Sequence, residues 1–152
     1  MFDIRISEDG KTAVINMLAG LEATVTAAAQ KGLTRIGKEV HRGAHQWLSG
    51  AKTPAGAYPV PVVTGHLRRS AAWLKPGESK AGSGEIFTAG NMETVIYNSA
   101  AYAETIFLGK GSSAKFGERN AIIDGFNEFN RNYSVEKVLE EELEKELSKK
   151  VR

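Results

Sequence analysis

"LEATVTAAAQKGLTRIGKEVHRGAHQWL", residues 21–48, is the stretch whose reading decides the fold. Its apolar side chains recur at three- to four-residue steps through Leu21, Val25, Ala29, Ile36, Val40, Ala44 and Trp47, and Val14 and Leu18 extend the series upstream. That is the period of a helix with one buried stripe. The spacing predicts a helix that begins near Thr12 or Leu21 and runs through Leu48, with Gly20 and Gly32 as candidate breaks. A helix of nearly thirty residues is on the order of 40 Å long, more than one small core needs to cover. Gly32, Gly37 and Gly43 lower its intrinsic stability, so packing has to hold it together.

On the N-terminal side, "FDIRIS" alternates Phe2, Ile4 and Ile6 with polar residues, the period-two pattern of a short strand. On the C-terminal side, residues 49–65 are rich in glycine and proline; Pro54, Pro59 and Pro61 favour an extended connector. "TGHLRRSAAWLKP" then places Leu67, Ala71 and Leu74 at helical spacing, with Thr64 as the cap and Pro76 as the stop. "GESKAGSG" has a loop composition, and "EIFTAG" and "ETVIYNS" read as a hairpin turning at Gly90-Asn91. A turn or two of helix around Tyr102–Phe107 leads into a mobile loop over 109–118. Ile122, Ile123, Phe126 and Phe129 then share one helical face. The last helix, about 134–150, is capped by Ser134 and carries Val135, Leu139, Leu143 and Leu147 at steps of four. The expectation is a single α+β domain over 1–152: a small antiparallel β-sheet packed by one long N-terminal helix, shorter helices and a C-terminal helix.

Composition narrows the chemistry. The chain has no cysteine, which removes disulfides, thiol nucleophiles and thiolate metal sites. The opening "MFDIRISEDG" lacks a basic-then-apolar signal pattern and no apolar run approaches a membrane span, so a cytoplasmic protein without membrane partners is expected. The net charge is only +2, but residues 31–80 hold nine bases against two acids, while 81–152 hold nine against twelve. Such a surface either solubilises the chain or matches an acidic partner, and the opposite bias of the C-terminal part makes self-assembly a natural candidate. Lys31, Arg35, Lys38 and Arg42 form one helical stripe that could neutralise phosphates, which gives a nucleic-acid-binding module as the alternative of another class. No helix-turn-helix, RNA-recognition or zinc-finger signature accompanies that stripe.

His41 and His45 stand four apart but lack a third ligand nearby except Glu39, and they read as helix-surface histidines rather than a metal pair. His66 has no evident nucleophile or carboxylate partner, and "GKGSSAKFG" lacks the spacing of a phosphate-binding loop. No catalytic set, metal site or cofactor site is expected. Arg68, Arg69, Lys110 and Lys115 join the four-base stripe as candidate contact residues.

The order of these pieces resembles a known family. Pro61-Val62-Val63-Thr64-Gly65-His66-Leu67-Arg68-Arg69-Ser70 is similar to the P-x-x-TG-x-L-x-x-S run of the small tail-component family of long-tailed bacteriophages, also called neck or tail-completion proteins. Asn98, Tyr102, Ala103 and Gly109, in "VIYNSAAYAETIFLG", match the asparagine, the YA pair and the glycine that follow in that family. The chain departs from the pattern at Val63, in "TIFLGKG" and in "FGERNAI", so neck ring, tail terminator and related joining protein all remain open as subclasses. The resemblance implies a non-enzymatic virion component, assembled in the host cytoplasm as a hexameric or dodecameric ring at the neck or tail junction. Its partners would be other copies of itself, the head connector or head-closure protein, and the tail-tube or terminator protein. Genomic DNA would pass through the lumen without sequence recognition. Pro61, Thr64, Gly65, Leu67, Ser70, Asn98, Tyr102, Ala103 and Gly109 would then be structural residues of the motif.

Overall fold

The periodicity of residues 21–48 becomes one helix, α1, spanning Glu8–Leu48 without a break at Gly20 or Gly32. It belongs to a computed structural model that describes residues 8–49, 65–82, 84–111 and 118–151. The strand expected at Phe2–Ile6 and most of the 49–65 connector lie outside the described residues. At 41 residues, α1 is about 60 Å long.

Eight shorter elements follow: α2 (His66–Arg69), β1 (Ala71–Leu74), β2 (Ser79–Gly82), β3 (Glu85–Thr88), β4 (Val95–Asn98), α3 (Ala103–Phe107), α4 (Ala121–Asn132) and α5 (Val135–Lys150). The architecture is α+β. Its strands form two two-stranded antiparallel sheets, β1 with β4 and β2 with β3, where one sheet was expected.

α4 and α5 run back along α1 one after the other. Gly125 of α4 lies against Val40 and Ala44, Leu139 of α5 against Gly32, and Lys150 reaches the Gly20 carbonyl. Ile36, Val40, Phe129 and Val138 form the core of this three-helix contact. A different face of α1 meets the sheet: Gly37 approaches Thr94 and Trp73. The helix-weakening glycines are therefore the points of closest approach. At Gly43, a β-carbon would sit 3.2 Å from the Gly125 Cα. A side chain at either position would hold the two helices apart.

Both later helices start on side-chain caps. The Asn120 side-chain oxygen accepts from the Ile122 and Ile123 amides, each at 3.2 Å. Ser134, at a φ of 56°, accepts from the Lys137 amide, as its position in the sequence suggests. The face of α4 differs from expectation, however. Ala121, Gly125 and Phe129 are buried, whereas Ile123 and Phe126 are exposed. Gly125 takes the middle of the buried face because α1 comes too close there for a side chain, and Phe129 packs beyond it.

The helix expected from Thr64 to Pro76 is corrected to a single turn followed by a strand. The N-cap of α2 is Gly65, at a φ of 67°, while Thr64 and Pro61 lie outside the described residues. The turn closes when the Ser70 amide donates to the His66 carbonyl, and the Ser70 carbonyl accepts from the Ser99 amide instead of continuing a helix. Ala71 and Leu74 are buried as expected, but on β1. The expected hairpin is also corrected. β3 pairs with the glycine-rich segment before it (Ser79 opposite Thr88), and β4 pairs with β1 (Ala71 opposite Asn98). Gly84, at a φ of 83°, supplies the turn that lets a loop-like composition form β2 and double back.

Candidate functional site

The described motif residues meet where α2, β1, β4 and α3 join. Leu67 is buried with Trp47, Leu48, Ala71, Ala100, Ala103, Phe107 and Ala121. Asn98, at the end of β4, ties the junction together: its side-chain nitrogen donates to the Leu67 carbonyl at 2.7 Å and its oxygen accepts from the Ala100 amide at 3.0 Å. The Tyr102 ring lies beside the His66 ring, with centroids 5.9 Å apart, and stays partly exposed. Gly109, at a φ of 61°, follows the end of α3. Replacing Asn98 with alanine leaves two backbone groups without their partner and should cost about 1 to 2 kcal/mol, read as an earlier midpoint in urea unfolding.

The basic residues of α2 stand on the outer side of this junction. Arg69 is exposed and Arg68 partly so, and neither forms an ion pair among the described residues. His41 and His45 of α1 approach from below, with ring centroids 6.0 Å apart. The His41 Nε2 lies 3.1 Å from the Ala71 carbonyl oxygen. Burial pushes the His45 pKa down, and the neighbouring His41 and Arg68 add to that shift. Among the described residues, no group of three or more histidine, aspartate or glutamate side chains could hold a metal ion.

The four-base stripe has a different environment. α5 covers part of it: Lys31 pairs with Glu146, and the Arg35 guanidinium donates to Glu141 at 2.8 Å, with Glu142 at 3.5 Å. Arg42 pairs with Glu39 on its own helix at 2.9 Å. Lys38 alone of the four has no carboxylate partner among the described residues. Hydrogen bonds from Lys149 and then Lys31 hold the Glu146 pKa down at about 2. The Arg35 hydrogen bond likewise lowers that of Glu141. Lys110 pairs with Glu104 at 2.7 Å, and Lys115 lies outside the described residues.

The chain matches no family model, no curated protein and no solved structure. A small cleft between α1 and α4, lined by Glu39, Arg42, Gln46, Glu128 and Asn132 among others, encloses about 40 Å³. That is room for water rather than for a substrate.

From sequence alone, the glutamates of residues 140–146 read as one solvated face. In the structure the acids of α5 divide. Glu141, Glu142 and Glu146 turn toward α1 and its cations, while Glu136, Glu140 and Glu144 are exposed and form no ion pair among the described residues. The steps of four from Glu136 to Glu144 carry that division in the sequence.

Proposed function

We propose that this chain is a non-enzymatic structural subunit of a bacteriophage neck or tail end. In this reading, copies assemble into a ring that joins the head connector to the tail tube and lets DNA pass through its lumen. The observation that carries the reading is the convergence of the family-like residues. Gly65, Leu67, Ser70, Asn98, Tyr102 and Ala103, scattered between positions 65 and 103, belong to a single junction of the fold. Such a junction gives a motif of this spacing a structural purpose without any reacting group.

Electron microscopy and mass measurement of the purified protein, alone and with the tail-tube or connector protein added, test the proposal. Rings or partner-bound complexes are expected. Monomers that bind none of these proteins would overturn it. Tail terminator remains the alternative within the same class, distinguished by binding to the end of a finished tail tube.

The nucleic-acid reading fares less well electrostatically. Lys31, Arg35 and Arg42 already have carboxylate partners within the chain, so phosphates would have to compete with those partners.

A further inference from the structure

Two surfaces group charges that form no ion pair among the described residues. The first is the basic face at the motif junction, where Arg68 and Arg69 stand with no ion pair among the described residues. Tyr102, 41% exposed, adds apolar surface to this face. The acid of α3, Glu104, is already held by Lys110. The second is the outward face of α5. Its three exposed glutamates recur at steps of four, and Leu147 and Val151 continue the same line, 37% and 88% exposed. One face is basic with an aromatic group, and the other is mainly acidic with aliphatic groups, Lys137 standing exposed beside its glutamates.

Geometry keeps the two faces apart within one chain. α5 lies along the middle of α1, from the contact with Ile36 back to Gly20. The basic face sits toward the C-terminal end of α1, where Arg68 acts on His45 and the Ala71 carbonyl lies beside His41. Leu139, in the midst of the exposed glutamates of α5, lies against Gly32, and Gly32 and His45 are about 20 Å apart along the helix axis. Complementary surfaces at separate places on a subunit favour head-to-tail contact, which makes a ring when its rotation closes.

We propose that the junction face of one copy receives the outward face of α5 of a second copy, with Arg68 and Arg69 meeting Glu136, Glu140 and Glu144 and Tyr102 covering Leu147. This assignment rests on the ring reading above and names its contact. Attraction between opposite charges would select the pairing and set the register, and the apolar residues would hold it.

The test is a charge exchange. One variant carries Arg68→Glu with Arg69→Glu; the other carries Glu136→Lys, Glu140→Lys and Glu144→Lys. Circular dichroism first checks that each remains folded, and the exposed single change Arg69→Glu serves if the double variant does not. Light scattering at low salt then follows assembly, with the tail-tube protein added if the wild type requires it. Each variant alone should assemble about tenfold more weakly or worse. An equimolar mixture should recover assembly, because each altered face then meets its opposite on the other variant.

A variant that assembles like the wild type, or a mixture that stays unassembled, overturns this contact while the ring reading stands. A wild type that never assembles overturns both. If the wild type binds duplex DNA through Arg68 and Arg69 but never self-associates, the face serves nucleic acid and the proposal is wrong.

Discussion

Replacing Gly125 with alanine should destabilise the protein by about 2 kcal/mol, although alanine is the better helix former by about 1 kcal/mol. The added β-carbon would stand 2.6 Å from the Ala44 nitrogen and 2.9 Å from the Val40 carbonyl oxygen. Both are backbone atoms of α1, so no side chain can turn aside; the helices must separate and open the core around Phe129. Thermal unfolding should fall by roughly 4 to 8 °C. Gly20 supplies the control. There, among the described residues, a β-carbon meets only the end of the Lys150 side chain, at 3.6 Å, so Gly20→Ala should raise stability by about 0.5 to 1 kcal/mol. The same substitution thus has opposite signs at two helical glycines. Equal effects at the two positions would refute close helix approach as the reason for Gly125.

The second large effect concerns two phenylalanines three residues apart. Phe129 is 4% exposed, packed with Ile36, Val40 and Val138, and stacked on Tyr133 at 5.8 Å. Phe126 is 41% exposed. Phe129→Ala should cost about 3 to 4 kcal/mol, from lost burial and the cavity left between three helices. Phe126→Ala should cost less than about 1 kcal/mol. Denaturant titration of both variants checks the assignment. Equal losses would mean that α4 is rotated from the orientation described.

These two residues also mark how far the sequence could be read. The spacing of Ile122, Ile123, Phe126 and Phe129 correctly announces a helix and the inward side of Phe129 and Ile122, but hydrophobicity alone also turns Ile123 and Phe126 inward, and both are exposed. What decides the face is how near α1 comes, and that depends on Gly43 and Gly125, which carry no hydrophobic signal. Along α1 the spacing succeeds at Ile36, Val40, Ala44 and Trp47, all buried. Toward the N-terminus it slips by one residue: Thr24 and Ala28 are buried, while Leu21 and Val25 are exposed. The buried residues there keep strict steps of four, through Thr24, Ala28, Gly32 and Ile36, whereas Val25 keeps the helical period from Ile36; the covered face therefore winds around α1 instead of following one straight stripe.

Strand partners were less legible because pairing is not local. "EIFT" and "VIYN" have the composition of strands, yet nothing near either shows that β4 pairs with β1, which lies 20 residues upstream. For the candidate contact residues, spacing correctly put Lys31 and Arg35 on one face of a helix. It could not show that Glu146 and Glu141, more than a hundred residues later, would fold over them. Arg68 and Arg69 needed less information, since a one-turn helix with a buried Leu67 leaves its arginines on the outer side.

The division of the strands into two separate sheets has a consequence on the timescale of hydrogen exchange. β1 begins and ends on the buried residues Ala71 and Leu74, and the Ser99 amide fastens its partner β4 to α2. Most residues of β2 and β3 are exposed, and Ile86 is 78% so. Two hydrogen bonds between the ribbon's own arms close its base, and the buried Ala89, the stack of Phe87 on Tyr97 and the approach of Gly82 to Ser99 hold it to the rest. A four-residue ribbon with so little beneath it opens at low free energy. Its amides should take up deuterium through brief local excursions, while those of β1 and β4 wait for the helical core to come apart. The β structure of this protein therefore comprises two cooperative units of unequal lifetime, one of which can come and go without the other.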